Sequence, residues 1–224
     1  MSSGKRPASA GLVGLVLAGG RSTRFGADKL AAELDGRPLL HHALLAVAQV
    51  SPHVLLSLGA DAPMPPLPAL AVPIRVVHDR SDEWGPLAGI GAGLDALEAE
   101  AASSLHPGLP GGGATLLVVA GDMPHLAASL LRGLVAALGP GDAAVLADAE
   151  GWRPLPCVVR AEAAGPLVRA RLVGPDRSIR GVLRSLGPAI VSEAVWRTWD
   201  PDGAWRGDVD RPPDLAAARR REGT

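Results

Sequence analysis

Between residues 12 and 191, short apolar runs alternate with stretches of helical periodicity. That alternation restricts the chain to an α/β fold, a mostly parallel sheet with helices on both faces. Residues 12–17, 54–58, 74–77 and 116–119 read as buried strands. Residues 39–50 read as a helix, because Pro38 suits a first helical turn and Leu40, Ala43, Leu44 and Val47 share a face. Further helices are expected over 87–97, from about 126 to 138 and over 179–186, and further strands over 143–146, 155–160 and 189–191. A last helix is expected to begin near Pro212 and to end in the basic Arg219–Arg221. Residues 60–73 hold five prolines and can only connect elements. The Gly/Pro-rich stretch 103–113 reads as a loop within the fold. Residues 1–10 are small, polar and basic, a tail expected to be disordered, which leaves 11–224 as one domain.

The totals exclude several functions. With a net charge of -1 and only 3% aromatic residues, the chain has neither the basic surface nor the stacking platforms that nucleic-acid binding needs. A single cysteine, Cys157, excludes a disulfide framework and a multi-cysteine metal site. Lys5 and Arg6 precede the apolar run 12–18, as in a signal peptide, but cleavage there would destroy the most informative loop of the chain. No run is long enough to span a membrane, so a soluble, cytoplasmic protein is expected, a monomer or weak homo-oligomer.

The first strand runs into Leu17-Ala18-Gly19-Gly20-Arg21-Ser22-Thr23-Arg24-Phe25-Gly26-Ala27-Asp28-Lys29. Paired glycines after a buried strand let backbone amides approach an anion. Arg21, Arg24 and Lys29 supply charge for a polyphosphate. The carboxyl ends of parallel strands are also where such sheets bind ligands. The spacing is neither Gly-x-x-x-x-Gly-Lys-Ser/Thr nor Gly-x-Gly-x-x-Gly, so neither a Walker ATPase nor a dinucleotide fingerprint is present.

Leu17-Ala18-Gly19-Gly20, Ser22, Arg24, Gly26 and Asp28-Lys29, followed by Leu34, Gly36, Pro38 and Leu39, closely resemble the signature of the molybdenum cofactor guanylyltransferase (MobA-like) family. Three further segments match in order. Asp79 with Gly85-Pro86-Leu87-Ala88-Gly89-Ile90 resembles the family motif near the nucleoside. Ala120-Gly121-Asp122-Met123-Pro124 resembles its metal-binding aspartate motif, and Asp208-Val209-Asp210-Arg211-Pro212-Pro213-Asp214-Leu215 its C-terminal segment. Gly121 stands where Cys is frequent, Phe25 where Met is usual and Arg211 where Thr is usual; Asp208 and Asp210 take positions often filled by Asn.

The resemblance implies a GT-A-like, Rossmann-related nucleotidyltransferase that moves GMP from GTP to a molybdopterin-type acceptor, with Mg2+. It implies nucleotide binding by Leu17, Ala18, Gly19, Gly20, Arg21, Ser22, Lys29, Asp79 and Gly85, and catalysis by Arg24, Lys29 and Asp122. It makes Asp122 the metal ligand, with Asp210, or else Asp208, as second carboxylate. Residue type alone leaves other roles open. Asp122 is also a favoured helix N-cap, Asp208 and Asp210 suit a turn before Pro212, and Asp79 begins a charged run. Arg153, Arg180 and Arg184 fall in the half where the family binds its acceptor. A related cytidylyltransferase (MocA-like) using CTP, another phosphorylated acceptor, a sugar-phosphate nucleotidyltransferase and a non-catalytic nucleotide carrier remain alternatives.

Overall fold

The computed structural model describes residues 11–19, 29–79, 85–102, 113–207 and 209. The expected tail over 1–10, the loop residues 103–112 and the helix from Pro212 lie outside them. In chain order the first elements are β1 (Leu12–Leu17), β2 (Glu33–Leu34), β3 (Arg37–Pro38), α1 (Leu39–Ala48), β4 (Val54–Leu58), β5 (Ile74–His78), α2 (Pro86–Ala102) and β6 (Thr115–Ala120). Then follow α3 (Ala128–Ala137), β7 (Ala143–Asp148), β8 (Gly151–Arg160), α4 (Ala161–Leu172), α5 (Ile179–Leu186), β9 (Ala189–Val191) and α6 (Glu193–Trp196).

One seven-stranded sheet runs in the order β5-β4-β1-β6-β8-β7-β9. The pairs β5–β4, β4–β1, β1–β6 and β7–β9 are parallel. Only β8 opposes its neighbours, antiparallel to both β6 and β7. Its direction follows from the connection: Asp148 pairs with Gly151, so two residues join β7 to β8, and a two-residue turn can only make a hairpin. The turn of this hairpin reaches the edge of the sheet at which β6 ends.

Alternate residues of the central strands feed two cores. Leu12 and Val16 of β1 pack with α1 and α3, through Leu44, Val47, Leu130 and Leu134. Val13, Leu15 and Leu17 pack on the other side with α2, α4 and α5, through Leu94, Leu97, Val168 and Leu183. Both faces of the sheet are therefore covered, as the alternation of elements predicts. Gly14 sets the spacing of α1 on β1: a Cβ there would lie 2.0 Å from Val47 Cγ1.

Three elements escape the sequence reading, each for a physical reason. α4 carries Pro166 in its interior, normally a loss of about 3 kcal/mol. Burial of Ala161, Ala164, Gly165 and Val168 and an Arg169–Glu98 ion pair at 2.7 Å oppose that loss by binding α4 to α2. The β2–β3 hairpin turns on Asp35 (φ 50°) and Gly36 (φ 73°), left-handed geometry that an Asp-Gly pair is suited to supply. α6 is a single turn, fixed by Trp196, which is fully buried and donates from Nε1 to the Ala147 carbonyl at 2.7 Å.

Candidate functional site

Strands β1, β4, β5 and β6 point their carboxyl ends at the same edge, and most of the described sequence-identified residues collect there. Leu17, Ala18 and Gly19 leave the end of β1 tied on both sides. The Ala18 amide donates to the Ser57 carbonyl of β4 at 2.8 Å, and the Gly121 amide, just past β6, donates to the Leu17 carbonyl at 2.9 Å. Gly121 fits tightly, since a Cβ would lie 3.2 Å from that carbonyl and 3.2 Å from Leu40 Cδ1.

Behind the turn lies a buried polar pair. Asp79, one residue past β5, accepts from Ser57 Oγ at 2.6 Å, and both residues are buried. Its other oxygen backs the glycine turn: a Cβ at Gly19 would lie 2.8 Å from Asp79 Oδ2. A larger residue at position 19 would thus push the turn off its carboxylate support. The same packing runs into α2, where a Cβ at Gly89 would lie 2.6 Å from Ser57 Oγ. Gly85 immediately precedes α2 with φ 62°, a left-handed conformation that favours glycine. Buried carboxylates of this kind must be hydrogen-bonded to be tolerated, and Ser57 supplies that bond.

Asp122 follows β6 on the same edge. Lys29, in the short 3-10 turn Lys29–Ala31, places Nζ 2.5 Å from Asp122 Oδ2. The pair is mostly withdrawn from solvent, with side chains 13% and 20% exposed. Asp122 also anchors the C-terminal segment, because the Val209 amide donates to its carbonyl at 3.2 Å. Val209 is buried with Leu34 and Leu39. Asp208 and Asp210 flank Val209 in sequence but lie outside the described residues, as do Gly20, Arg21, Ser22 and Arg24.

A divalent cation at this edge would be held through Asp122. Among the described residues no cluster of three or more His, Cys, Asp or Glu could hold a metal. Asp122 nevertheless presents a carboxylate beside an ammonium group, so positive charge is already matched there. One or two carboxylates completed by substrate phosphates is how magnesium is usually held.

On the far side of Asp122 from β1 lies a cavity of about 420 Å³. Its walls include Asp122 and Met123 after β6, Trp152, Arg153 and Leu155 of β8, and Arg180 of α5. Arg153 is held by the β7–β8 hairpin, donating from Nε to Asp148 at 2.7 Å and from Nη2 to Glu150 at 3.2 Å. That guanidinium holds the Asp148 carboxyl below its ordinary range, against the opposing effect of burial. The Arg180 guanidinium lies over the Trp152 ring, 4.3 Å from its centroid. Arg184, one helical turn on, is exposed and does not line the cavity.

Cys157 and three tryptophans near the C-terminal end occupy structural places. Burial raises the Cys157 thiol to about 12, which removes it as a nucleophile. Trp196 and Trp205 are core residues in edge-to-face contact at 5.6 Å, and Trp199 covers Gly133 of α3. Sequence reasoning missed Ser57 and Trp152, and quoted Gly89 in the second motif without giving it a role. For Ser57 a signal existed, a lone hydroxyl inside the apolar run Val54–Leu58. The Arg180–Trp152 contact joins elements 28 residues apart and has no local signature.

Residues 14–190 match the family described as MobA-like NTP transferase domain. A protein of Chloroflexus aggregans named probable molybdenum cofactor guanylyltransferase is 30% identical over 94% of this chain and 95% of its own length. Among solved structures, a molybdopterin-guanine dinucleotide biosynthesis protein A from Archaeoglobus fulgidus superposes with a TM-score of 0.70 at 20% identity, covering 94% of this chain and 98% of that one. A Mycobacterium tuberculosis protein solved in complex with manganese superposes with a TM-score of 0.55 at 21% identity, covering 94% and 99%. The two structures establish the fold.

Proposed function

The chain belongs to the MobA-like NTP transferase family, and from that premise we propose that it transfers GMP from GTP to a molybdopterin-type acceptor, releasing pyrophosphate. The observation that carries this reading is the position of Asp122. It stands, paired with Lys29, between the glycine turn of β1 on one side and the cavity on the other. A triphosphate held by Leu17–Lys29 and an acceptor held in the cavity would meet at this carboxylate. The choice of GTP and molybdopterin rests on the name of the Chloroflexus relative and on the motifs that the sequence shares with guanylyltransferases.

In this scheme the amides of Leu17, Ala18, Gly19, Gly20, Arg21 and Ser22 cradle the phosphates, and Arg24 and Lys29 offset their charge. Asp79 stabilises the turn from behind and stands next to whatever the turn holds, and Gly85 frees the chain to enter α2 there. Asp122 would hold Mg2+, with Asp210 or Asp208, the sequence neighbours of Val209, as second carboxylate. When bound, the cation supplies charge neutralisation on the transferring group. An acceptor phosphate oxygen forms a bond to the α-phosphorus as the bond to the departing pyrophosphate breaks. An acceptor that arrives as a phosphate dianion needs no general base, and none is required of the residues here. No helix among the described residues is long and apolar enough to cross a membrane.

Pyrophosphate release from GTP, CTP, ATP and UTP, each with Mg2+ and molybdopterin, tests the reading. Turnover selective for GTP is expected. Preference for CTP would reassign the base, and tight binding of a triphosphate without turnover on any acceptor would favour a carrier.

A further inference from the structure

The cavity beside Asp122 contains two arginines, and their surroundings differ. Arg153 is bound to Asp148 and Glu150, so its charge is already matched by carboxylates of its own hairpin. Arg180 makes no hydrogen bond or ion pair with any described residue; its guanidinium lies over the face of Trp152, 4.3 Å from the ring centroid. A guanidinium stacked on an indole keeps its in-plane N–H groups available, and these match two phosphate oxygens at once. Stacking also removes part of the rotamer freedom that binding would otherwise have to remove. Both residues are half-buried, which strengthens charge-assisted bonds relative to open solvent.

The position is equally informative. Arg180 is the second residue of α5 and Trp152 the second of β8, so two separate elements converge on the cavity that Asp122 also lines. On the nucleotide side, positive charge already comes from Lys29. An arginine on the other side with no carboxylate partner among the described residues points to a second anionic ligand.

We propose that Arg180 is the specificity-determining residue for the acceptor, binding its phosphate monoester, and that Trp152 is the positioning residue that holds the guanidinium in place. The assignment rests on the nucleotidyltransferase reading for which molecule is the acceptor, but not for the chemistry of the pocket: an anion with at least two coplanar oxygens, entering beside Asp122.

The test separates the two. Binding of fluorescent 6-hydroxymethylpterin phosphate to the full chain is followed by anisotropy, with the unphosphorylated alcohol as control. The wild type is expected to prefer the phosphate ester by about 10-fold or more, and Arg180→Ala to lose that preference. Arg180→Lys should keep the charge but recover only part of it, because an ammonium lacks the fork. Trp152→Phe, which preserves a ring face, should stay close to wild type, while Trp152→Leu should fall toward Arg180→Ala. In turnover, Arg180→Ala should raise KM for molybdopterin and leave KM for GTP within about 2-fold. No preference for the phosphate ester in the wild type, or a preference that survives Arg180→Ala in a folded protein, overturns the proposal. A preference that depends on Arg180 in a protein that does not turn over GTP would keep the proposal and remove the guanylyltransferase reading.

Discussion

The two sides of Asp122 are built differently. On the β1 side, a ligand would meet backbone: glycines at 19 and 85, amides at a strand end, and a buried Ser57–Asp79 pair supporting the turn from behind. On the β8 side, the cavity is walled by long side chains, Trp152, Arg153 and Arg180, on a hairpin and the start of a helix. Backbone recognition requires glycine and close packing, so it leaves motifs that are local in sequence. Side-chain recognition requires only that the right groups converge, so its residues are scattered along the chain. Under the proposed function, this difference would separate a phosphate-holding surface, set by main-chain geometry, from an acceptor surface that can change by substitution.

The largest effect that would sharpen this division is at Lys29. Lys29→Ala removes the ammonium beside Asp122, and we expect kcat to fall by roughly 100-fold, as for loss of other preorganised charge at a reacting centre. A next test acts behind the turn. Gly89→Ala would place a Cβ 2.6 Å from Ser57 Oγ and should raise KM for the triphosphate by about 10-fold while leaving the acceptor KM unchanged. Equal effects on both KM values would break the division into two surfaces.

Two smaller effects bear on the scaffold. Gly14→Ala drives a Cβ into Val47, a stiff β-branched side chain on α1, and should destabilise the fold by about 1–3 kcal/mol in denaturant titration with both KM values intact. Asp148 is held below its ordinary value of 3.8, chiefly by its hydrogen bond from Arg153. A depressed carboxyl contributes stability that is present above its unfolded value and is lost as pH falls through the folded one. Asp148→Asn should therefore lower stability at pH 7, by no more than about 1 kcal/mol for a pair of this exposure, and converge on the wild type as pH falls below about 4.

How far the sequence could be read follows the same line. β1, β4, β9 and α5 emerge at their expected bounds, because each is a short run with clear limits. α4 was hidden by Gly165-Pro166, whose local preference is overruled by packing on α2. The motifs named Gly19, Lys29, Asp79 and Asp122, which the fold brings to one edge of the sheet. The supporting Ser57 was not singled out, since one hydroxyl in an apolar strand has no spacing to mark it. On the acceptor side Arg153 and Arg180 were named only by region. Which of them is held by carboxylates and which lies on Trp152 depends on tertiary contacts.

Asp122 is where the two surfaces meet, so it tests the whole account most directly. GTP binding and GTP-dependent pyrophosphate release would be measured side by side in the wild type and in Asp122→Ala, with Mg2+ and molybdopterin. The account predicts that the variant still folds and binds GTP through the β1 turn, while turnover drops by at least about 100-fold. Turnover within a few-fold of wild type in a variant that binds GTP normally would contradict it and return Asp122 to the role of a structural residue after β6.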